Sequence, residues 1–166
     1  MRTKTNYSSK PERFEIIDGL SGKKIVCLRT NITSKENENG IFYEADEYTV
    51  EVFPSENLYN RIDNSFEEWL QNAMDEAYTS EAKKVREKRD ELLRKSDSIM
   101  ALDRLGLSVP TTPDFVDWLR FLRTLGEAIT GEWAKYRQAL RDIPQQTGFP
   151  FDVRFPKIPD EKGDTN

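Results

Sequence analysis

The sequence contains no histidine among its 166 residues. That removes the commonest general base and the commonest metal ligand, and with them Ser-His-Asp and Cys-His nucleophile arrangements. There is one cysteine, Cys27. A single thiol closes no internal disulfide, and its apolar neighbours make it a small buried side chain. The sequence has no CxxC, no HExxH, no GxGxxG and no phosphate-binding GxxxxGK(S/T), so metal sites and phosphate-cradling loops find no support. No apolar run approaches the roughly 18 residues that cross a bilayer. The opening, MRTKTNYSSKPERF, lacks the apolar stretch of a signal peptide, and without export the sequon Asn31-Ile32-Thr33 carries no weight. A basic excess is also missing. Net charge is −5; residues 1–80 hold 9 basic and 15 acidic side chains, residues 81–166 hold 16 and 15. Neither half is built to neutralise phosphates, so a nucleic-acid partner is disfavoured. Two of the 30 carboxylates could form a hydrolytic pair, but most fall on amphipathic helices or loops, where solvation accounts for them. The expectation is a protein that is not an enzyme, needs no cofactor or metal, and meets no membrane.

What is present is balanced between apolar residues (36%) and charged ones (33%). The length suits one domain, or a small domain with an appendage. The core it allows is thin, as in an elongated helical protein or one completed by a partner. Residues 1–12 are polar and of mixed charge and read as a flexible leader. From Arg13, FEII meets Asp18-Gly19 and Ser21-Gly22, then KIVCLRT, which predicts a hairpin. TSKENENG, residues 33–40, reads as a polar loop. IFYEADEYTVEVF then alternates, with Tyr48, Val50 and Val52 on one face. Residues 13–63 are thus expected to form a β-rich domain of three or four antiparallel strands, its edge exposed until a helix or partner covers it.

Helical spacing takes over from residue 64. Ser65 and Glu68 form a capping-box pattern. Phe66, Trp69 or Leu70, Ala73, Ala77, Ala82, Val85, Leu92 and Ile99 follow at three–four intervals. Tyr78-Thr79-Ser80 is a candidate break, and Gly106 a candidate end. Charges from Lys83 to Lys95 read as a solvated face with i,i+4 pairs. Thr112 and Pro113 read as N-cap and first turn of the next helix. That helix carries a stripe of Phe115, Leu119, Leu122, Leu125 and Ile129, with a kink or break at Thr130-Gly131. Trp69, Trp118 and Trp133 sit at helical spacing and are expected in the core. A last helix, Glu132 to Ile143, ends at Pro144. FPFDVRFPKIP follows. Its prolines bar it from the middle of a sheet, yet it is too apolar for a solvated tail. It reads as an extended strap, laid over the helices or docked on a partner. The fold class expected is α+β: a small N-terminal antiparallel sheet or hairpin unit, then a long helical hairpin or three-helix unit with its strap over residues 64–159, and a polar tail over 160–166.

Two blocks within the last half of the chain stand out. One is Trp133, Tyr136, Arg137, Gln138, Leu140, Arg141, Asp142, Gly148, Phe149, Pro150, Val153, Pro156 and Pro159; the other is RDELLRKSDS, residues 89–98. Together they resemble the C-terminal signature of phage tail assembly chaperone proteins, of the form RD.LL..SDW followed by W..YRQ.LRD....GFP..V.WP..P. Ser98 and Phe155 stand where that pattern has Trp, and the spacing between blocks is longer, as if a short helix lay around residues 114–125. The N-terminal half matches nothing.

The resemblance implies a non-catalytic protein that binds a phage tail or tail-fibre polypeptide during virion morphogenesis in the bacterial host cytoplasm. The alternative is a structural part of the virion tail, baseplate or fibre attachment, in which the same module is an adaptor; a host-takeover protein is a third reading. A homo-oligomer remains open. The candidate partner-binding or motif residues are Arg89, Asp90, Ser96, Asp97, Trp133, Tyr136, Arg137, Arg141, Asp142, Phe149, Pro150, Phe155 and Pro156. Arg89-Asp90 and Arg141-Asp142 are placed to lock two helices through paired Arg–Asp hydrogen bonds, or to face a client. Ser96-Asp97 brackets the same junction.

Overall fold

The computed structural model describes residues 1–38, 40–97, 109–111 and 114–159. The architecture is α+β, a four-stranded antiparallel sheet followed by helices. The chain divides into two compact units, Met1–Ser80 and Glu81–Asn166.

In the first unit the sheet order is β1 (Arg2–Tyr7), β4 (Gly40–Val52), β3 (Lys24–Asn37), β2 (Phe14–Asp18). Residues read as a leader therefore include an edge strand. Thr3, Thr5 and Tyr7 are good strand formers, and β1 pairs with β4 from Arg2 opposite Tyr48 to Tyr7 opposite Tyr43. Residues 33–37, read as loop, are strand as well. A bulge between Thr30 and Thr33 resets the register, after which Thr33 faces Glu44 and Asn37 faces Gly40. The bulge includes Asn31 at φ 53°, a backbone region Asn tolerates better than most residues. This outer ribbon is polar because it extends beyond the pairing of β1 and β2 and stays largely solvated.

One face of the sheet presents Phe14, Val26, Leu28 and Tyr48. They form a core with Leu58 and Ile62 of α1 (Leu58–Asn64) and with Phe66, Leu70, Ala73 and Ala77 of α2 (Phe66–Asp97). Val50 and Val52 pack beside them, as alternation in β4 predicts. Helix begins earlier than expected, at Leu58; Ser65 both closes α1, its N–H bonding to the Arg61 carbonyl, and opens α2, its carbonyl accepting from the Trp69 N–H at 3.1 Å. Nor does α2 break at Tyr78-Thr79-Ser80. Those residues are only modestly poor helix formers, and Ala77 and Ala82 on either side are buried.

The opposite face carries a charge cluster around Arg29, 7% exposed. Its guanidinium donates to Tyr7 Oη and Glu47 Oε2 at 2.8 Å each, to Glu15 Oε2 at 2.8 Å and to the Glu12 carbonyl at 3.3 Å. Burial works against its charge, but the bonds to Glu15, Glu47 and Tyr7 outweigh it and hold the guanidinium above its ordinary range. Cys27 lies close by, and burial raises its thiol above the usual value. Near the sheet edge, Asp46 accepts from Asn31 Nδ2 at 2.8 Å and from Arg2 Nη2 at 2.9 Å.

In the second unit, α3 (Phe115–Thr130) and α4 (Glu132–Arg141) meet at Gly131. Gly131 ends one helix and starts the next at ψ 178°, and a Cβ there would sit 2.6 Å from the Glu127 carbonyl oxygen. The expected break is present, and the close approach of the Glu127 carbonyl requires glycine there. Asp114 is the cap of α3, accepting from the Val116 N–H at 2.9 Å; Thr112, Pro113 and the expected helix end at Gly106 lie outside the described residues. No helix among the described residues is long and apolar enough to cross a membrane.

Asp46 gives the sheet an acid-side weakness. Burial opposes its charge, yet Asn31 and Arg2 more than offset this and its carboxyl titrates below the ordinary value. As pH falls below about 4, the unfolded carboxyl takes its proton first. The stability Asp46 contributes above that pH is then lost through its folded value. Urea unfolding of Asp46→Asn should therefore show a flatter decline in stability between about pH 4 and 2 than the wild type; parallel curves would show that Asp46 contributes nothing to the acid limb.

Candidate functional site

The second unit closes around Val85 of α2, Tyr136 and Leu140 of α4, and Ile143 just beyond. Leu140 and Ile143 are fully buried. Tyr136, Leu140 and Ile143 recur at three–four spacing, so one face of the last turns points inward. Trp133 stands edge-on to Tyr136, with ring centres 5.7 Å apart and planes at 84°, an arrangement that suits the ring quadrupoles. Trp133 is only partly buried and packs on the margin of this cluster.

The strap returns onto the same cluster. Phe149, Val153 and Phe155 pack against it, and Pro150 is fully buried. The turn leading into the strap depends on Gly148. The Asp152 N–H donates to the Gly148 carbonyl at 2.7 Å, and a Cβ on Gly148 would lie 2.0 Å from the Asp152 carbonyl oxygen. Gln146 then clamps the strap at both ends of one amide. Its Nε2 donates to the Arg154 carbonyl, and its Oε1 accepts from the Arg154 N–H, each at 2.8 Å. Cations of α2 lie on the strap's aromatics: Arg86 is 5.6 Å from the Phe149 ring centre and Lys88 4.4 Å from that of Phe155. Between α2 and the strap remains a small groove of about 260 Å³, reaching Lys84, Val85 and Phe151.

The expected Arg–Asp lock forms with different partners. Arg89 pairs with its neighbour Asp90, with Nη2 to Oδ1 at 2.7 Å. Asp142 accepts from Gln138 Nε2 at 3.0 Å, so neither Arg89 nor Arg141 reaches across to an Asp of the other helix. The bond between α2 and α4 comes from Arg137. Its Nη1 lies 2.6 Å from Asp97 Oδ1, donates to the Leu93 carbonyl at 3.2 Å and bonds the Ser96 hydroxyl. Ser96, 1% exposed, donates in turn to the Leu93 carbonyl at 2.7 Å. The buried hydroxyl is thus satisfied both as donor and as acceptor. Arg137 exceeds Arg141 because α4 turns its Arg137 side toward α2 while Arg141 faces outward and exposed. Ser96 and Asp97 from one sequence block thus meet Arg137 from the other. Pro156 follows Phe155 in the strap, half-buried. Ser98 lies outside the described residues.

α3 departs most from expectation. Its predicted stripe faces outward in part: Phe115 is 72% exposed, Leu122 55% and Leu119 50%. Trp118, expected in the core, is also exposed, with its ring edge-on to Phe121 at 5.9 Å. The side chain of Ile129 lies outside the described residues. Periodicity identifies an amphipathic face but not what covers it. A sequence signal was available in the flanking Asp117–Arg120 and Arg123–Glu127 pairs, which mark the opposite side as solvated. Among the described residues no group of three or more His, Cys, Asp or Glu side chains is placed to hold a metal ion.

Residues 82–160 match the model of a family described as phage tail assembly chaperone protein. The match spans the α2–α4 lock, the α3 face and the strap. No curated protein and no solved structure matches the chain.

Gly148→Ala should be among the most damaging single substitutions in this unit. The added methyl meets backbone rather than a yielding side chain, so the strap must lift off the cluster. The loss of Phe149 and Phe155 packing should cost about 3 kcal/mol or more by urea unfolding, with Trp133 emission moving to the red. An unchanged midpoint would mean that the strap does not staple this core.

Proposed function

We propose that this chain, whose residues 82–160 carry the phage tail assembly chaperone module, holds a tail or tail-fibre polypeptide through the outward apolar face of α3 while the virion tail is being built. The observation that carries the reading is the exposure of Phe115, Leu119 and Leu122 on one side of a helix whose unit has already closed its core with a strap. An apolar stripe with a solvated back is the form in which a helix covers complementary apolar surface on another chain. The strap supports the division of labour: Phe149 and Phe155 pack on the unit's own cluster and leave α3 as the open surface. The role is non-catalytic. It acts in the host cell, in the cytoplasm, and asks for no nucleotide, because the client's own assembly contacts can bury the surface that α3 covered and so release it.

Mass spectrometry of gradient-purified phage particles, run beside the infected-cell lysate, tests the role. The protein should be abundant in lysate and missing from particles. A fixed copy number in particles would overturn the reading in favour of an adaptor that stays in the tail. Leu119→Glu with Leu122→Glu tests the surface. Both side chains are half-exposed or more, so the melting temperature should move by the equivalent of about 0.5 kcal/mol or less, while tail assembly in a complemented infection should fail. Normal assembly with this variant would remove α3 from the client surface.

A further inference from the structure

The family match begins at residue 82 and leaves the first unit without a role. That unit carries a groove of about 520 Å³ where the α1–α2 corner meets the end of β4 at Val50. Glu68, Asn72 and Glu76 line it at intervals of four along α2, with the half-buried Trp69 beside them and Asn64 at the corner. Residues spaced three and four apart share a helix face, so a polar row with one indole looks into the groove. The side chains of Asn64, Glu68, Asn72 and Glu76 make no hydrogen bond or ion pair with other described residues. The basic side chain on the rim, Arg61, is bonded to Ser55 Oγ at 3.2 Å and pairs with neither carboxylate. Asp46 and Glu47, on the sheet of the same unit, are by contrast matched by Arg2 and Arg29.

We propose that this groove binds an extended basic segment of a partner polypeptide, with one cationic side chain against Glu68, a second against Glu76, and the chain passing over Trp69 and Asn72. The spacing selects the ligand. Eight helical residues separate the two carboxylates, about 12 Å at 1.5 Å per residue. An extended chain covers that in about four residues, and its side chains four apart point to the same side. The indole face attracts a cation, and the two amides supply the donors and acceptors that a peptide backbone needs. Charge supports the same partner: residues 1–80 carry a net −6, which draws in a basic chain and repels nucleic acid. The inference is independent of the chaperone role, since no residue of α3 or the strap takes part.

The test uses the full chain labelled with ¹⁵N, following the indole N–H resonances of Trp69, Trp118 and Trp133, with Trp69→Phe to assign the first. The probe is a Gly/Ser peptide of about ten residues with two lysines four positions apart. The Trp69 resonance should shift saturably while the other two stay still, and the affinity should fall as salt rises. Glu68→Gln with Glu76→Gln should weaken binding about tenfold at an unchanged melting temperature, since both side chains are exposed. A peptide with glutamates in place of the lysines should leave Trp69 unmoved. An unmoved Trp69 at millimolar lysine peptide, equal affinity in the double variant, or equal shifts with the glutamate peptide or a short oligonucleotide would each overturn the proposal.

Discussion

The docking of the strap onto Val85, Tyr136, Leu140 and Ile143 is the contact on which the second unit depends. Among the described residues of that unit these are the apolar side chains gathered into one buried cluster, too few to hold two helical segments together by themselves. Phe149, Val153 and Phe155 enlarge the cluster from outside, and each brings along backbone that must find hydrogen bonds. Gln146 supplies two of them to Arg154, and the Gly148–Asp152 turn supplies another. A proline-rich segment suits this task because it arrives with fewer N–H groups to satisfy and less freedom to lose. Arg86 and Lys88 then cover the aromatic faces left at the surface, so the strap is sandwiched between an apolar cluster and a cationic margin.

The first unit solves the same shortage differently. Among the described residues of this unit, α1 and α2 pack on one face of the sheet, and the other face carries a charge cluster instead of an apolar one. Arg29 holds that cluster with bonds from all three of its guanidinium nitrogens. Tyr7 of β1, Glu15 of β2, Glu47 of β4 and the Glu12 carbonyl converge on one guanidinium, and the Tyr7 ring lies 4.9 Å from it. A planar, always charged group with a fixed fork of donors can bridge strands in this way, whereas lysine could not reach as many partners. Because Glu15 is solvated while Arg29 and Glu47 are not, the cluster gives the sheet register more than it gives net stability.

Legibility in the sequence followed the range of the interaction. Alternation in Tyr48, Val50 and Val52 placed the core face of β4, because the period of a strand is a local property. The break at Gly131 was likewise readable from a single residue, and Pro144 marked the end of α4 to within a few residues: the helix stops at Arg141 and Pro144 falls in a short 3-10 turn just after. The leader that became β1 was not, since RTKTNY is polar on both faces and is a strand only because β4 offers it a ladder. The ribbon over residues 33–37 was hidden for the same reason. Within the site, the two sequence blocks contained the lock, but adjacency favoured Arg89-Asp90 and Arg141-Asp142 over Arg137. Which arginine crosses depends on helix rotation, and that is decided by Tyr136, Leu140 and Ile143 turning inward. The need for glycine at position 148 is visible only once Asp152 folds back upon it.

Trp118 of α3 was expected inside and lies outside for a more general reason, and that reason bears on function. A helix pattern reports that apolar residues lie together; it says nothing about whether their cover belongs to the same chain. In this unit the strap has already taken the place beside α2 and α4 with Phe149 and Phe155, and Phe115, Leu119 and Leu122 remain outside. Leaving such a stripe in water forgoes roughly 25 cal/mol for each Å² that burial would remove. A partner's apolar surface recovers that energy without any change in the closed core beneath. Under the proposed function this separation is what makes holding reversible: the strap keeps the unit folded whether or not α3 is occupied, and a client can leave as soon as its own assembly contacts bury the same surface more completely.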